Sequence, residues 1–499
     1  MRCAAMIVGL WLGACGMAAA ADLKAVDAWR TGHEREILVQ LDELVRLKSL
    51  AADPAGLTAT ANRLENLLKA RGFATAQWSA GGSPPLVFGS LAVPGARRTI
   101  VFYAHYDGQP VTPSEWHSDA FTPVLRDAGK DVDWKTAPSF SPDARFHGRA
   151  AADDKNSITA FLAAFDALAA TGQKPSVNIK VAWEGEEERS SPHLAEILRS
   201  HAGALKSDLW LIGDAPLHQS RTPTLYFGTR GMLAWDATVY GPSRPVHDGH
   251  YGNWVPNPAM MAAQLITALR DGEGRIRIPG FTDDATPLTA TERAAIARLP
   301  PVEAALKKEL ALGRSEGEDG LTASTMRPAL NVRGLAAGQV GASAVAAIPS
   351  EAAIAFDFRL VPGQTPKRVQ EKVEAFLKAQ GWTVVHAPPD AAMRMAHPRL
   401  VRLDWHDGYP GYRSDMASPA AKAAIAAAST AAGNPVVVLP MMGASVPLNL
   451  IDTTLHVPLI GLPITNHDNN QHAADENLRL GNLWDGVKLY AAMMAGLNW

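Results

Sequence analysis

The sequence predicts an α/β protein with a mixed, largely parallel sheet, flanked by helices and interrupted by an inserted α+β domain. Three short apolar runs, Thr99–Ala104, Val177–Trp183 and Leu209–Ile212, are rich in β-branched and aromatic residues, which is typical of buried strands. A helical pattern at Ser157–Ala170 lies between the first two runs, and strands that alternate with helices form parallel sheets. The partly alternating run Met232–Tyr240 instead favours a half-buried strand of an antiparallel sheet.

The other elements follow the same division. The α/β pattern extends to about residue 230, the inserted domain covers 231–415, and the α/β pattern returns over 416–499. Helices are predicted at Ala25–Lys48, Thr58–Ala70, Thr365–Gln380 and Pro419–Ala432. Further strands are predicted at Ala352–Leu360 and Trp382–His386, and an apolar run follows at Pro435–Pro440. The connection Asp107–Gly148 is long and rich in Pro, Asp and Trp, and loops of this length are usually functional or poorly ordered.

The composition is that of an ordinary globular protein. The chain has 499 residues, which is enough for two or three domains. Hydrophobic residues make up 47% and charged residues 19%, and the formal net charge is −3. A nearly neutral chain gives no sign of a nucleic-acid partner or of binding to an anionic membrane surface.

The first 21 residues have the pattern of a secretory signal peptide. Arg2 is followed by a short apolar run and then by small residues up to Ala21. Cleavage near Ala21 would release an exported, periplasmic protein. Alternatively, Leu12–Cys15 resembles a bacterial lipobox, in which a lipid on Cys15 would anchor the protein to a membrane. Both cysteines, Cys3 and Cys15, fall within this segment, so a mature chain would bind metal through nitrogen and oxygen ligands only.

Acidic and histidine residues stand where the predicted strands end. His105 and Asp107 follow the first strand, Glu187 and Glu188 follow the second, and Asp214 follows the third. In parallel sheets, ligands bind beyond the carboxyl ends of the strands, so these side chains should converge. Imidazole and carboxylate groups are good ligands for zinc and similar divalent ions. Each motif alone is weak, because a charged loop is more often simply solvated.

Two further motifs complete the set. Asp153 and Asp154 directly precede the predicted helix, where one of them would otherwise serve only as an N-cap. His472 lies near the C-terminus and is uninformative on its own. In order along the chain, the motifs are H-x-D, D-D-K before a helix, E-E after a strand, D after a strand, and H near the end. This order resembles the M20 family of dinuclear metallopeptidases, especially its carnosinase-like dipeptidases and carboxypeptidase G2-like members.

The resemblance implies a role for each of these residues. His105 and Asp214 would bind one metal ion, Glu188 and His472 would bind the other, and Asp153 would bridge both. Asp107 would orient His105, and Glu187 would be the general base. The peptide bond between Asp153 and Asp154 would be cis. The metal ions would be two divalent cations, with zinc preferred and manganese or cobalt as alternatives.

The resemblance also makes residues 22–230 and 416–499 the two parts of a catalytic domain, and 231–415 a lid and dimerisation domain. His247 would reach the active site of the neighbouring protomer in a homodimer and stabilise the oxyanion, with His250 as a competing candidate. Arg359 would bind the terminal carboxylate of a peptide. Asn331 and the loop with Gly443 and Ser445 would also contact the substrate.

These roles imply hydrolysis of dipeptides or short peptides with a free C-terminal carboxylate. Two alternatives stay open: an N-acyl-amino-acid deacylase with the same metals, and a non-catalytic relative that binds peptide or metal. The chain departs from the family pattern at Ala150, Asn156 and Ser190–Ser191, where the family has glycine, glycine and Gly-Ser, and its Asp107–Gly148 connection is longer than usual. None of these changes removes a ligand or the base.

Overall fold

The computed structural model describes residues 21–444, 446 and 448–499. The predicted signal peptide, its possible lipidation site Cys15 and the proposed substrate contact Ser445 lie outside the described residues. None of the described helices combines the length and the apolar character that a membrane span requires.

The α-helices are α1 (Leu23–Gly32), α2 (Glu34–Arg46), α3 (Pro54–Lys69), α4 (Lys155–Ala170), α5 (Leu194–Ser200), α6 (Asp248–Tyr251), α7 (Pro258–Leu269), α8 (Ala290–Ile296), α9 (Glu303–Glu309), α10 (Leu321–Thr325), α11 (Pro366–Ala379), α12 (Ala391–Ala396), α13 (Pro419–Ala432), α14 (Leu448–Leu455) and α15 (Leu480–Gly496). Short 3₁₀ helices cover Pro113–Glu115, Glu187–Arg189 and Gly341–Ser343.

The strands are β1 (Ala74–Trp78), β2 (Leu86–Leu91), β3 (Thr99–His105), β4 (Val124–Asp127), β5 (Lys130–Val132), β6 (Arg145–His147), β7 (Asn178–Glu184), β8 (Leu209–Ile212), β9 (Thr224–Tyr226), β10 (Gly228–Thr229), β11 (Gly231–Tyr240), β12 (Val246–His247), β13 (Ala329–Ala336), β14 (Ala347–Ile348), β15 (Glu351–Leu360), β16 (Thr383–Val385), β17 (Leu400–Tyr409), β18 (Tyr412–Arg413), β19 (Val437–Leu439), β20 (Leu459–Gly461) and β21 (Asn477–Arg479).

The chain divides into two compact units. The first contains the described residues up to Leu225 together with Ala417–Val437 and Thr453–Trp499, and the second contains Tyr226–Met416 and the described part of Val438–Asp452. The sequence had assigned residues 438–452 to the catalytic part instead. Hydrogen bonds explain the difference, because Phe227 N donates to Leu439 O and Met442 N donates to Gly228 O.

The main sheet has the strand order β1-β2-β7-β3-β8-β20-β9-β19. Strands β7, β3, β8 and β20 run parallel to one another, whereas β2 pairs antiparallel with both β1 and β7. The predicted fold class, a mixed and largely parallel sheet flanked by helices, is therefore confirmed. All three strands predicted from apolar runs are present and adjacent, with β3 between β7 and β8.

Helix α4 illustrates how the sequence determines this packing. Small and apolar residues occupy nearly its whole length, so twelve of its positions are buried. Phe161 packs edge-on against Phe102 of β3, with ring centroids 4.9 Å apart, and against Trp183 of β7 at 5.6 Å. Aromatic contacts of this geometry stabilise beyond the area that they bury. The start of α4 is thereby fixed against the strands that carry the site.

Two details of this unit differ from the sequence-based expectation. The helix predicted over Ala25–Lys48 is broken at His33, where α1 ends and α2 begins; the His33 ring lies 2.7 Å from Trp29 O through Nδ1 and stacks on the Trp29 ring. The long connection after Asp107 is ordered: it supplies β4, β5 and β6, which join β21 in a four-stranded antiparallel sheet.

The second unit is built on a five-stranded sheet with the order β13-β15-β11-β17-β16. All neighbours are antiparallel except β16 and β17, which are parallel. The apolar faces of α7 and α11 cover this sheet, and Trp235 lies at the centre of the core, stacked on Phe356 at 4.2 Å. The α+β character predicted for the insertion is therefore present.

Candidate active site

The site lies at the carboxyl ends of the adjacent strands β7, β3 and β8. His105 is the last residue of β3, Asp214 follows β8 by two residues, and Glu187 and Glu188 open the 3₁₀ helix that follows β7. Asp153 immediately precedes the cis peptide bond to Asp154, the N-cap of α4. The cis bond is the one that the resemblance implied.

Six side chains form two groups in which a metal ion could be held. The ligand atoms of His105, Glu187 and Asp214 lie within 4.8 Å of one another, and so do those of Asp153, Glu188 and His472. Two imidazoles and four carboxylates are a donor set that suits zinc, manganese or cobalt.

Asp153 belongs to the second group and also faces a histidine of the first. Its Oδ1 is 3.0 Å from His105 Nε2, and its Oδ2 is 3.1 Å from His472 Nε2. His472 Nε2 is also 3.2 Å from Glu188 Oε2. Each oxygen of one carboxylate thus faces a different histidine, which is the arrangement that a bridging ligand requires. The two histidines differ in environment: His105 is fully buried, whereas the side chain of His472 is 52% exposed.

Asp107 contacts both His105 and the turn that carries Glu187 and Glu188. Its carboxylate lies 3.4 Å from His105 Nδ1 and accepts hydrogen bonds from the backbone N–H groups of Glu187 and Glu188, at 3.2 and 3.1 Å. It is 2% exposed. One buried carboxylate therefore fixes the end of β3 and the turn after β7 together.

The electrostatics of the cluster favour a bound cation. Burial raises the pKa of Asp214 to about 7, and the nearby Asp153 carboxylate contributes to the rise. Burial also raises the pKa of Glu187 well above its usual range. The charge of His105 opposes this rise, whereas Asp214 and Glu188 add to it. Hydrogen bonds with Asp153 and Glu188 raise the pKa of His472 to about 10. Carboxylates buried together need protons or metal ions to neutralise them, so the residues present fit a metal pair.

Sequence reasoning missed several residues that contact this set. Gln109 donates from Nε2 to Glu188 Oε2 at 2.7 Å, and Gln471 donates to Asp153 Oδ2 at 3.3 Å. Glu476, which is 1% exposed, accepts from the backbone of Asp153. Gln109 and Gln471 lie within two residues of a predicted site residue, and this proximity is the only signal in the sequence.

The departures from the family pattern keep the backbone shape of glycine. Ala150 has φ +62°, Ser190 has φ +66° and Ser191 has φ +51°, all in the left-handed region that glycine favours. Asn156 is buried and donates from Nδ2 to Thr465 Oγ1 at 2.5 Å. Ala150 and Ser190 therefore adopt backbone conformations that the glycines of the family pattern would favour.

The residues predicted to bind substrate belong to the second unit. Asn331 on β13 and Arg359 on β15 lie on neighbouring strands, and Asn331 pairs with Asp357. Arg359 donates from Nε to Asp357 Oδ2 at 2.9 Å. His247 caps the short helix α6 and its side chain is 56% exposed, with the ring of His250 at 4.6 Å. Gly443 is half-buried beside Thr325.

Comparison with known proteins identifies relatives over most of the chain. The Cys-Gly metallodipeptidase dug1 of Schizosaccharomyces pombe is 25% identical over 415 residues, covering 82% of this chain and 81% of the relative. The human Beta-Ala-His dipeptidase is 26% identical over 473 residues, covering 90% and 84%.

Among solved structures, the M20 family metallo-carboxypeptidase Sso-CP2 from Sulfolobus solfataricus superposes with a TM-score of 0.75 at 26% identity, covering 92% of this chain and 99% of that one. Human carnosine dipeptidase 1 has a TM-score of 0.74 at 22% identity, covering 95% and 98%, and supports the fold. The model of the peptidase family M20/M25/M40 matches residues 101–496, which include every motif residue from His105 to His472. The order of the motifs, the paired ligand groups and this match lead to one conclusion: the chain belongs to peptidase family M20/M25/M40.

Proposed function

We propose that this protein is a metal-dependent dipeptidase that cleaves dipeptides or short peptides with a free C-terminal carboxylate. The observation that carries the proposal is that the Asp153 carboxylate faces His472 of its own ligand group with one oxygen and His105 of the other group with the second oxygen. The metallodipeptidases among the relatives support the same substrate class.

His105 and Asp214 would hold one divalent cation, Glu188 and His472 would hold another, and Asp153 would be shared by both. Such cations would acidify a water molecule and polarise the scissile carbonyl. Glu187 takes the proton from the attacking water and later gives it to the leaving amine. Asp107 holds Glu187 in place by accepting a hydrogen bond from the backbone N–H of Glu187.

Arg359 is proposed to bind the terminal carboxylate of the substrate, because guanidinium and carboxylate groups form a bidentate pair. Arg230 lies near Arg359: burial and the positive charge of Arg359 together lower the pKa of Arg230 to about 10. Asn331 and Gly443 are proposed to line the same region.

The N-acyl-amino-acid deacylase alternative is not favoured, because the relatives from Schizosaccharomyces pombe and human named above are dipeptidases. Zinc is the proposed native metal, with manganese and cobalt compatible with the same donors.

We also propose a homodimer formed through the second unit, in which His247 serves the active site of the partner. The edge strand β13 supports this assembly, because Val332 and Leu335 on it are 39% and 55% exposed. Exposed apolar edge strands are surfaces that pair with another chain. Export to the periplasm, or anchoring through a lipid on Cys15, is proposed from the sequence pattern of residues 1–21. The mass of the mature N-terminal peptide distinguishes cleavage near Ala21 from lipidation.

The dipeptidase proposal is tested with a panel of dipeptides and N-acetylated amino acids. The mature protein is stripped of metal, and hydrolysis is measured before and after zinc or manganese is added. We expect metal-dependent cleavage of dipeptides and a fall in kcat of about 10²–10⁴-fold in Glu187→Gln, since the general base is removed.

Glu186→Gln is the matched control. Glu186 is the neighbouring carboxylate, but it pairs with His193 at 2.8 Å and lies outside both ligand groups. It should keep its activity. Turnover of the acylated compounds alone would assign a deacylase, and full activity of Glu187→Gln would exclude this residue as the base.

A further inference from the structure

The buried carboxylate of Glu476 is surrounded by donors from one short segment. Its Oε1 accepts from Ala152 N at 2.9 Å and from Asp153 N at 3.1 Å. Its Oε2 accepts from Ala150 N at 3.1 Å and from Arg149 Nη1 at 2.7 Å. Four charge-assisted hydrogen bonds to one carboxylate, which is 1% exposed, make this a rigid connection.

The backbone of Glu476 extends the connection. Its carbonyl oxygen accepts from Gly148 N at 3.0 Å, so the segment Gly148–Asp153 folds around this one residue. Asp153 ends the segment, and its two oxygens face His105 and His472. Glu476 is itself only four residues after His472. It therefore joins the segment that carries Asp153 to the loop that carries His472.

Both joined segments contain non-glycine residues in the left-handed region of backbone conformation. Ala150 has φ +62°, and Asn470, His472 and Asp475 have φ values of +57°, +62° and +56°. Non-glycine residues adopt this region only at a steric cost. Such conformations persist only where the surrounding contacts enforce them. Glu476 supplies such contacts to the segment that contains Ala150.

We infer that Glu476 is a positioning residue that sets the distance between Asp153 and His472 and thereby the affinity for the metal pair. This inference rests on the proposed metal-dependent function. Residues that orient metal ligands through hydrogen bonds typically change metal affinity by 10–100-fold when they are replaced. Glu476 does so through the backbone of the ligand segment, without touching the metal.

The test is direct measurement of metal binding. Metal-free wild-type protein, Glu476→Gln and Glu476→Asp are titrated with Co²⁺, followed by calorimetry and by the visible absorption spectrum of the bound ion. Gln keeps the shape of the side chain but replaces one acceptor with a donor, and Asp keeps the charge but shortens the reach. We expect both variants to bind Co²⁺ at least tenfold more weakly, with an altered spectrum.

Asp475→Asn is the matched control, because it removes the neighbouring carboxylate of the same loop, which bonds to His117 rather than to the Asp153 segment. It should bind Co²⁺ as the wild type does. Thermal unfolding of the metal-free proteins checks that each variant is folded. If Glu476→Gln does not fold, Arg149→Lys replaces it in the test. Arg149→Lys loses the guanidinium contacts to Glu476 and to Ala473 O, so it should also weaken Co²⁺ binding.

The outcomes separate the two proposals. If the folded Glu476 variants bind Co²⁺ with wild-type affinity and spectrum, the positioning role is overturned while the metal site stands. The same result in Arg149→Lys has the same meaning where that variant replaces Glu476→Gln. A wild-type protein that binds no pair of Co²⁺ ions would instead refute the metal-dependent function.

Discussion

At the scale of single residues, the site depends on carboxylates that bind backbone N–H groups as much as on those that face a metal ion. Asp107 accepts from Glu187 and Glu188, and Glu476 accepts from Ala150, Ala152 and Asp153. Buried carboxylates are stable only with such partners. The turns at the ends of the strands are therefore fixed before any ligand is bound.

Ser190 offers a test of the strain that accompanies this arrangement. It has φ +66° and is exposed, so replacing it with glycine removes no buried side-chain contact. We expect Ser190→Gly to raise the free energy of unfolding by about 0.5 kcal/mol, because glycine adopts this conformation without steric cost. Ser190→Val should lower it by more than about 1 kcal/mol. Urea denaturation measures both, and equal stability of the two variants would contradict the strain.

At the scale of elements, Lys155 connects two helices beneath the site. It is 1% exposed, and its ammonium donates to Leu44 O at 2.8 Å and to Leu47 O at 2.9 Å, at the end of α2. Carbonyl groups at a helix end lack partners within the helix, so a cation from another element satisfies them. The first turn of α4, and with it Asp153, is held against α2.

We expect Lys155→Met to lower the free energy of unfolding by about 3 kcal/mol, because it leaves two buried carbonyl groups without this donor. Lys24→Met, at an exposed position of α1, is the control and should have little effect. Urea denaturation with two spectroscopic probes gives the comparison. A loss no larger than that of the control would show that the contacts of Lys155 do not stabilise the fold.

At the scale of the whole molecule, the proposed dimer makes each active site depend on two chains. Glu187 would act within its own chain, and His247 would act in the partner's site. Glu187→Gln and His247→Ala should each form inactive homodimers. In a symmetric dimer, refolding an equal mixture should restore about a quarter of the wild-type activity, since half of the dimers are mixed and each has one complete site. No recovery in mixed dimers that are shown to form would exclude the exchange of His247.

The sequence predicted the main strands and the ligand positions because both depend on local patterns. Thr99–Ala104 and Leu209–Ile212 are apolar runs with polar ends, and the strands observed there carry His105 and Asp214 at those ends. It could not predict that the connection after Asp107 forms a sheet, because β6 pairs with β21, which is distant in sequence. The role of Glu476 was hidden for the same reason, since a lone glutamate in an acidic loop carries no pattern.

The position of His472 has a consequence for synthesis of the chain. Asp153 and His472 are separated by 319 residues, and β20, which joins the main sheet beside β8, also comes from the last part of the chain. At 5–20 residues per second, roughly 16–64 s pass on the ribosome between the two. Throughout that interval the nascent chain lacks one of the two histidines, so it can bind a metal pair in its final geometry only after His472 has been synthesised.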